Sequence, residues 1–244
     1  MTTKDPAVKS TPSLKADQFM ELVTAAQPRL AVFDCDGTLW AGDSGEGFFD
    51  WELERQVVPA ETVRWARARY SDYKAGKVSE DDMCGEMVTM HRGLTEARLV
   101  EAANQYFTEN FVHQIFPEMR ELVRRLRDSG CEVWAVSSTN EWVIRSAMKH
   151  CGIEESNVLA ATVAVENGQV TDRLIRVPSG AGKPRAIQDV LGRSPDAAFG
   201  NSRWDLDMLK MARRAFAVNP NPDLEAAACE LGWHVYWPDG TAKK

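Results

Sequence analysis

The sequence contains few cysteines and no long apolar segment. Its 244 residues include five cysteines, none of them in a C-x-x-C pair. Their odd number and wide spacing argue against a disulfide framework and against a structural zinc site. No apolar run is long enough to span a bilayer, and the polar residues 1–15 lack the apolar core of a signal peptide. We therefore expect a cytoplasmic protein in which residues 1–15 form a flexible tail.

Basic residues are outnumbered by acidic residues. The chain has 29 Lys and Arg against 36 Asp and Glu, which gives a net charge of −7. Non-specific nucleic-acid binding requires a basic surface that replaces phosphate counterions, and anionic membranes attract the same kind of surface. The composition therefore predicts neither a nucleic-acid partner nor a membrane partner. The length suits one α/β domain, or a core of about 150 residues with a smaller insertion.

Short apolar runs alternate with amphipathic helical patterns along most of the chain. The first run, at residues 29–33, ends in a charged turn and is typical of a buried parallel strand. Helical patterns lie between the runs, for example from Pro117 to Asp128 and from Pro184 to Leu191, where proline fits the first turn. The alternation predicts an α/β fold with a doubly wound parallel sheet flanked by helices. The other predicted strands are 132–136, 197–199, 215–218 and 234–237.

One long segment interrupts this alternation. Residues 41–115 contain no convincing strand and instead show several helix start signals. We interpret this segment as a helical insertion in a core that is formed by residues 16–40 and 116–244. The start signals are Ser44, Pro59, Ser79 and Thr95.

A second interruption predicts a β-hairpin. Asn167 and Gly168 separate two runs of alternating polarity between Ala161 and Arg176. Asn-Gly between such runs is the strongest short-range signal for a hairpin turn.

Polar residues follow several predicted strands, at the sheet edge where open α/β folds bind ligands. Asp34 and Asp36 follow the first strand and share a face, while Cys35 points the other way. Adjacent carboxylates repel unless a cation or a proton separates their roles, and hard oxygen ligands suit Mg²⁺. We predict that Asp34 binds the metal and acts as a covalent nucleophile, and that Asp36 carries the proton for a leaving alcohol. The alternative is a helix cap or a metal-free turn.

Four further residues follow other predicted elements. Ser137 follows the second strand and can bind phosphate through its hydroxyl and nearby amides, or else cap the next helix. Lys183 lies in a flexible glycine turn and is predicted to offset transition-state charge, or else to be a solvated surface lysine. Asn201 and Asp205 offer oxygens to the metal, and Asp205 is alternatively a first-turn acid stabilised by the helix dipole.

The segments at Asp34–Leu39, Ser137, Lys183 and Gly200–Asp205, in this order, resemble the four motifs of the haloacid dehalogenase-like superfamily. Asp34-Cys-Asp-Gly-Thr-Leu39 is similar to its nucleophile motif, Ser137 to its second motif and Lys183 to its third. Gly200-Asn-Ser-Arg-Trp-Asp205 resembles its acidic fourth motif, and the likeness extends from about Leu30 to Val218. The insertion is similar to the small helical cap of the phosphoserine-phosphatase-like branch.

The resemblance implies a Rossmann-like core, bound Mg²⁺ and phosphatase activity through an aspartyl-phosphate on Asp34. It also implies that the backbone carbonyl of Asp36, rather than its side chain, is a metal ligand. Ser138 stands where the family commonly has glycine, so its amide can still bind phosphate while its hydroxyl changes the pocket. Asn201 stands where the family usually has aspartate, which leaves less charge at the metal. Whether Asn201 or Asp205 binds the metal directly stays open.

Asp43 and Glu46 lie just after the nucleophile motif, where the insertion begins. In phosphoserine phosphatases an acid near the Asp43 position contacts the substrate amine, but both residues also fit a helix cap. The predicted substrate is a small phosphorylated metabolite, with Asp43 and Glu46 as candidate binding residues. A phosphotransferase or mutase and a non-catalytic phosphate-binding regulatory protein are the alternatives. A dehalogenase is disfavoured because carbon–halogen displacement leaves Asp36 without a leaving alcohol to protonate.

Overall fold

A computed structural model of the chain describes residues 14–241. The predicted tail lies outside these residues, apart from Leu14 and Lys15. Leu14 forms an isolated parallel bridge with Tyr236. No helix within residues 14–241 has the length and apolar character that crossing a membrane requires.

The strands form one sheet that is parallel except at one edge. They are β1 (Leu30–Phe33), β2 (Glu132–Asn140), β3 (Val158–Glu166), β4 (Gln169–Arg176), β5 (Ala197–Gly200), β6 (Arg214–Val218) and β7 (His234–Tyr236). Neighbouring strands run in the order β4-β3-β2-β1-β5-β6-β7. β3 and β4 pair antiparallel, and the other neighbours pair parallel. The predicted α/β fold with a Rossmann-like parallel sheet is therefore confirmed.

Helices cover both faces of this sheet. They are α1 (Ala16–Thr24), α2 (Ser44–Glu54), α3 (Ala60–Lys74), α4 (Glu80–Thr89), α5 (Glu96–Asn110), α6 (Pro117–Asp128), α7 (Glu141–Cys151), α8 (Gly182–Leu191), α9 (Leu206–Met211) and α10 (Pro222–Leu231). Buried residues of α1, α6 and α7 join the core on one face, and those of α8, α9 and α10 join the core on the other. Short 3-10 helices lie at Val112–Gln114 and Arg203–Asp205.

The central strand β1 contributes side chains to both cores. Ala31 and Phe33 pack in the larger core, whereas Val32 packs in the smaller one. All four residues of β1 are buried, as expected for a strand that is covered on both faces. Phe33 also stacks on Phe199 of β5, with ring centroids 4.2 Å apart. β1 is therefore a well-packed base for the residues that follow it.

The helices α2 to α5 follow one another between β1 and α6, and residues 41–115 add no strand to the sheet. Pro59, Ser79 and Thr95 each occupy the N-cap of a helix, as predicted. Ser44 is the first residue of α2, and the N-cap is Asp43. The division into a core and a separate cap stays a prediction.

The hairpin prediction is confirmed, whereas two predicted boundaries are wrong. Asn167 and Gly168 connect β3 to β4 with φ angles of 51° and 74°, as a tight hairpin turn requires. β2 continues past residue 136, so Ser137 lies within the strand. α8 begins two residues before Pro184, so Lys183 lies in the first turn of a helix rather than in a flexible turn.

Candidate active site

Polar side chains meet in one cavity at the carboxyl ends of the central strands. The strand order reverses between β1 and β5, and ligands bind at such a switch point in open α/β sheets. The cavity has a volume of about 500 Å³. All nine predicted site residues line it: Asp34, Asp36, Asp43, Glu46, Ser137, Ser138, Lys183, Asn201 and Asp205. The structure brings them together, and their individual roles remain predictions.

Lys183 is a buried cation shared by two carboxylates. Its ammonium nitrogen is 2.6 Å from Asp34 Oδ1, 2.6 Å from Asp205 Oδ1 and 2.9 Å from the carbonyl oxygen of Val136. Burial alone would lower the pKa of Lys183, but the charges of Asp205 and Asp34 outweigh it and raise that pKa above its ordinary value. The side chain is 2% exposed, so the alternative of a solvated surface lysine is wrong.

Asp34 is held by one donor on each carboxylate oxygen. Oδ1 accepts from Lys183, and Oδ2 accepts from the hydroxyl of Thr38 at 2.9 Å. Burial and the nearby charge of Asp205 raise the pKa of Asp34, while Lys183 acts in the opposite direction. Because a carboxylate oxygen has two acceptor sites, each Asp34 oxygen retains a lone pair for an electrophile or a cation.

Asp205 accepts hydrogen bonds on both of its carboxylate oxygens. Its Oδ1 accepts from Lys183, and its Oδ2 accepts from the backbone amides of Asn201 and Ser202, each at 2.9 Å. The residue is 1% exposed. The Asp205 carboxylate therefore closes the turn after β5 and at the same time holds the ammonium of Lys183.

Asp36 accepts three hydrogen bonds but has no cationic partner in residues 14–241. Oδ1 accepts from the Trp40 indole N–H at 2.7 Å and from the backbone amide of Ser44 at 2.5 Å. Oδ2 accepts from the hydroxyl of Thr139 at 2.8 Å. Ser44 begins α2 and Thr139 lies near the end of β2, so both the insertion and the sheet orient this carboxylate. An oriented, half-buried carboxylate suits the transfer of a proton.

Ser137 lies within β2, three residues before the end of the strand, and is 2% exposed. Its hydroxyl oxygen accepts from the backbone amide of Thr139 at 3.2 Å. Asn140 caps the following helix by accepting from the amide of Val143 at 3.0 Å, so the capping alternative for Ser137 is wrong. Ser138 is half-buried in the same cavity and contacts Cys84 of α4.

Asn201 packs against the backbone of Gly37. A Cβ atom at Gly37 would lie 1.9 Å from Asn201 Nδ2, and the φ of Gly37 is +76°, so this approach requires glycine. No three His, Cys, Asp or Glu side chains in residues 14–241 are arranged to hold a metal ion. The available ligands beside Asp34 are instead hard oxygens: one carboxylate, the Asn201 amide and backbone carbonyls. That donor set fits Mg²⁺, which takes few protein ligands and retains water.

Asp43 and Glu46 stand at the start of α2. Asp43 Oδ1 accepts from the backbone amide of Glu46 at 2.8 Å, so Asp43 does cap this helix. Glu46 forms an ion pair with Lys74 of α3 at 3.2 Å. Both acids also line the cavity, so helix capping does not exclude contact with a substrate.

Several residues of the site gave no signal in the sequence analysis. His91 is buried with its Nε2 2.7 Å from Oε2 of Glu52, which lines the cavity. These two residues are 39 positions apart, so no local pattern connects them. Thr38, by contrast, belongs to the nucleophile motif, so its position in that motif could have identified it as a residue of the site. The other residues missed are Trp40, Tyr70, Tyr73, Glu80 and Thr139.

Comparison with known proteins places the chain in a family. A family model described as haloacid dehalogenase-like hydrolase matches residues 31–210. A histidinol-phosphatase of Neisseria meningitidis serogroup C is 28% identical over 217 residues, which cover 84% of this chain and 97% of the relative. A phosphoserine phosphatase of Mycobacterium tuberculosis is 25% identical over 217 residues, which cover 84% of this chain and 69% of the relative.

A solved structure shares the fold. A protein of unknown function from Bordetella pertussis Tohama I superposes with a TM-score of 0.73 at 22% identity, covering 85% of this chain and 97% of that one. At this identity the likeness supports the fold alone. The family model, however, spans most of the chain and includes the four predicted motifs. The predicted membership is confirmed: the chain belongs to the haloacid dehalogenase-like hydrolase family.

Proposed function

We propose that this protein is a Mg²⁺-dependent phosphatase that hydrolyses a small phosphate monoester through an aspartyl-phosphate on Asp34. The observation that carries the proposal is the arrangement of Asp34 and Asp36 in one cavity, with the fixed charge of Lys183 2.6 Å from Asp34. The relatives named histidinol-phosphatase and phosphoserine phosphatase support the same reaction. Their names point to phosphate esters of amine-bearing alcohols.

The reaction takes two steps. First, an Asp34 carboxylate oxygen attacks phosphorus, the bond from phosphorus to the alcohol oxygen breaks, and Asp36 donates a proton to that oxygen. The product then leaves as a neutral alcohol. Second, a water oxygen attacks the aspartyl-phosphate, its proton passes to Asp36, and inorganic phosphate and the Asp34 carboxylate are released. Asp36 ends the cycle protonated, as it began.

The remaining residues of the cavity bind and orient the phosphate. Lys183 offsets its negative charge, and Ser137 and Ser138 offer hydroxyl and amide donors. Asp205 positions Lys183, since its Oδ1 accepts from the Lys183 ammonium while its Oδ2 is fixed by the backbone amides of the turn after β5. We propose that residues 41–115 act as the cap that limits access of water.

The metal site is proposed on the same geometry. The ligands would be the Asp34 carboxylate, the Asp36 backbone carbonyl and the Asn201 amide oxygen. Asp205 is the alternative to Asn201 as a ligand, because its Oδ1 accepts from Lys183 and retains a second lone pair. Bound Mg²⁺ supplies neutralisation of phosphate oxygens as charge develops on them.

Hydrolysis of p-nitrophenyl phosphate with Mg²⁺ tests the proposal. Asp34→Asn keeps the shape of the side chain and removes the nucleophile, so we expect kcat to fall by about a thousandfold or more. Asp50→Asn, an exposed acid on α2, is the matched control and should keep the wild-type rate. Acid-quenched wild-type enzyme should carry phosphate on the peptide that contains Asp34. Equal rates for the wild type and Asp34→Asn would contradict the proposal.

Two alternative functions would use the same cavity. A phosphotransferase uses the same first step, and an alcohol replaces water in the second, so phosphoryl transfer to added alcohols would identify it. A non-catalytic phosphate-binding protein is favoured by one observation, the uncharged Asn201 where the family usually has an acid. Isothermal titration decides this second case, because absence of Mg²⁺ binding at millimolar concentration would support it.

A further inference from the structure

The insertion contributes its own part of the cavity wall. Asp43 and Glu46 come from the start of α2, Tyr70 and Tyr73 from α3, and Glu80 from the first turn of α4. Whatever alcohol is attached to the phosphate at Asp34 must lie against some of these groups. The chemistry of this wall therefore bears on the class of substrate.

Two tyrosine–glutamate pairs stand in this wall. The hydroxyl of Tyr73 donates to Glu80 Oε2, and the hydroxyl of Tyr70 hydrogen-bonds the carboxylate of Glu46. Each tyrosine proton is therefore already used within the protein. The atoms that remain for a ligand are lone pairs on phenol and carboxylate oxygens, and these can only accept hydrogen bonds. At these two pairs, a ligand must therefore bring the donors.

The charge of this part of the cavity wall also favours a ligand with a donor group that is positively charged. Lys74 is the cation that the insertion adds to the cavity lining, and it is engaged by Glu46 at 3.2 Å and by the ring of Tyr70 at 5.0 Å. Within residues 14–241, Asp43 and Glu80 have no cationic partner, and no arginine lines the cavity. A carboxylate on the substrate would therefore meet several acids and one lysine, which Glu46 already engages. A substrate ammonium group would find two acids without a cationic partner.

The apolar part of the wall is the independent second feature. Phe49, Met83 and Met87 line the cavity beside the two tyrosine rings. Aromatic faces attract cations, and methionine adapts to irregular apolar groups. A volume of about 500 Å³ lies within the range of cavities that enclose a whole small molecule. The cavity thus accommodates an alcohol with an organic body behind its cationic group.

We infer that the substrate is the phosphate monoester of a cationic amino alcohol that carries no carboxylate, with Glu80, Tyr73 and Asp43 as its specificity residues. The inference rests on the proposed function, since it concerns the alcohol half of the same ester. It selects between the two kinds of substrate in the relatives' names, because histidinol lacks the carboxylate that serine carries.

Competition against p-nitrophenyl phosphate hydrolysis by the full-length, Mg²⁺-loaded enzyme tests the inference. O-phosphoethanolamine and propyl phosphate have similar shapes and differ in the ammonium group, whereas O-phosphoserine adds a carboxylate to the former. We expect O-phosphoethanolamine to inhibit at least about tenfold more tightly than either of the others, as a charged hydrogen bond allows. Equal inhibition, tighter inhibition by O-phosphoserine, or inhibition by none of the three would overturn the inference. The p-nitrophenyl phosphate rate and its dependence on Asp34 test the proposed function separately.

Substitutions in the cavity wall test whether its residues cause the preference for a ligand with an ammonium group. Glu80→Gln and Tyr73→Phe should each reduce the ratio of inhibition constants for propyl phosphate and O-phosphoethanolamine several-fold. Glu61→Gln makes the same chemical change on an exposed position of α3 outside the cavity, and the ratio should stay at its wild-type value. If the ratio is unchanged in Glu80→Gln and Tyr73→Phe, or falls equally in Glu61→Gln, these residues do not set the specificity.

Discussion

The hydroxyl of Thr139 donates to Oδ2 of Asp36 at 2.8 Å, across 103 residues of chain. Gly45 leaves room for this contact, because a Cβ atom there would lie 2.5 Å from the Thr139 hydroxyl oxygen. Together with Trp40 and Ser44, Thr139 orients the carboxylate that is proposed to protonate the leaving alcohol. We therefore predict that Thr139 is a positioning residue for proton transfer.

Thr139→Val should therefore affect esters according to their leaving group. An alkoxide needs a proton as it departs, whereas p-nitrophenolate leaves readily without one. We expect kcat for an alkyl phosphate to fall by about tenfold or more, and kcat for p-nitrophenyl phosphate to fall clearly less. Thr171→Val, which removes a hydroxyl bonded to the Ala164 carbonyl on the β3–β4 hairpin, is the control. Equal losses with both esters would argue against a role through Asp36.

Asp205→Asn should destabilise the protein. The amide can still accept from Lys183 through its oxygen, but its NH₂ group then faces the amides of Asn201 and Ser202, so two partly buried hydrogen bonds are lost. The substitution also removes the charge of Asp205 that repels Asp34, and this offsets part of the loss in stability. We expect the free energy of unfolding to fall by about 2–4 kcal/mol in urea denaturation. The exposed Asp207→Asn should stay within about 0.5 kcal/mol of the wild type, and a similar value for both variants would refute the prediction.

Asn201→Asp should strengthen Mg²⁺ binding. The substitution introduces a charge on the proposed ligand that packs against Gly37, and metal affinity rises with the charge of the ligands. Isothermal titration with Mg²⁺ should show a Kd lower by about tenfold. Gln188→Glu adds the same charge on an exposed position of α8 and should leave the Kd unchanged. An unchanged or higher Kd for Asn201→Asp would show that residue 201 is not a ligand.

Glu52 should make stability depend on pH in a defined direction. Burial raises the pKa of Glu52, although His91 partly opposes this. The folded protein then holds a proton that the unfolded chain releases, so this residue lowers stability as the pH rises from the ordinary glutamate pKa through the raised one. Relative to the wild type, Glu52→Gln should gain stability over that interval in urea denaturation. Glu54→Gln, exposed on the same helix, should show no such trend, and parallel curves for Glu52→Gln and the wild type would contradict the assignment.

Much of the fold was predictable because its signals are local. Buried runs such as residues 29–33, proline and serine at helix starts, and Asn167-Gly168 each act over a few residues. The errors also have a physical cause. β2 continues past Val136 because β3 pairs with it as far as Asn140, and pairing partners are invisible to a local pattern. Lys183 is buried in the first turn of α8 because it contacts the carboxylates of Asp34 and Asp205, which lie 149 and 22 residues away in the sequence.

The site was predictable where a motif keeps its residues together. All nine candidates line one cavity. The residues that follow β1, β2 and β5 meet there because the carboxyl ends of parallel strands lie at one edge of the sheet. The contacts between them were not predictable. The engagement of Asp205 by Lys183, and the pairing of Tyr73 with Glu80, depend on how separate helices and loops pack.

The long separations across the site have a consequence for folding. The contacts of Asp34 with Lys183 and of Asp36 with Thr139 close loops of 149 and 103 residues, and such non-local contacts form slowly. A chain that has formed its helices but has not completed the central strands has none of these contacts. Recovery of hydrolysis during refolding should therefore follow, rather than accompany, the return of helical structure. Activity in this protein is thus a reporter of completed sheet assembly.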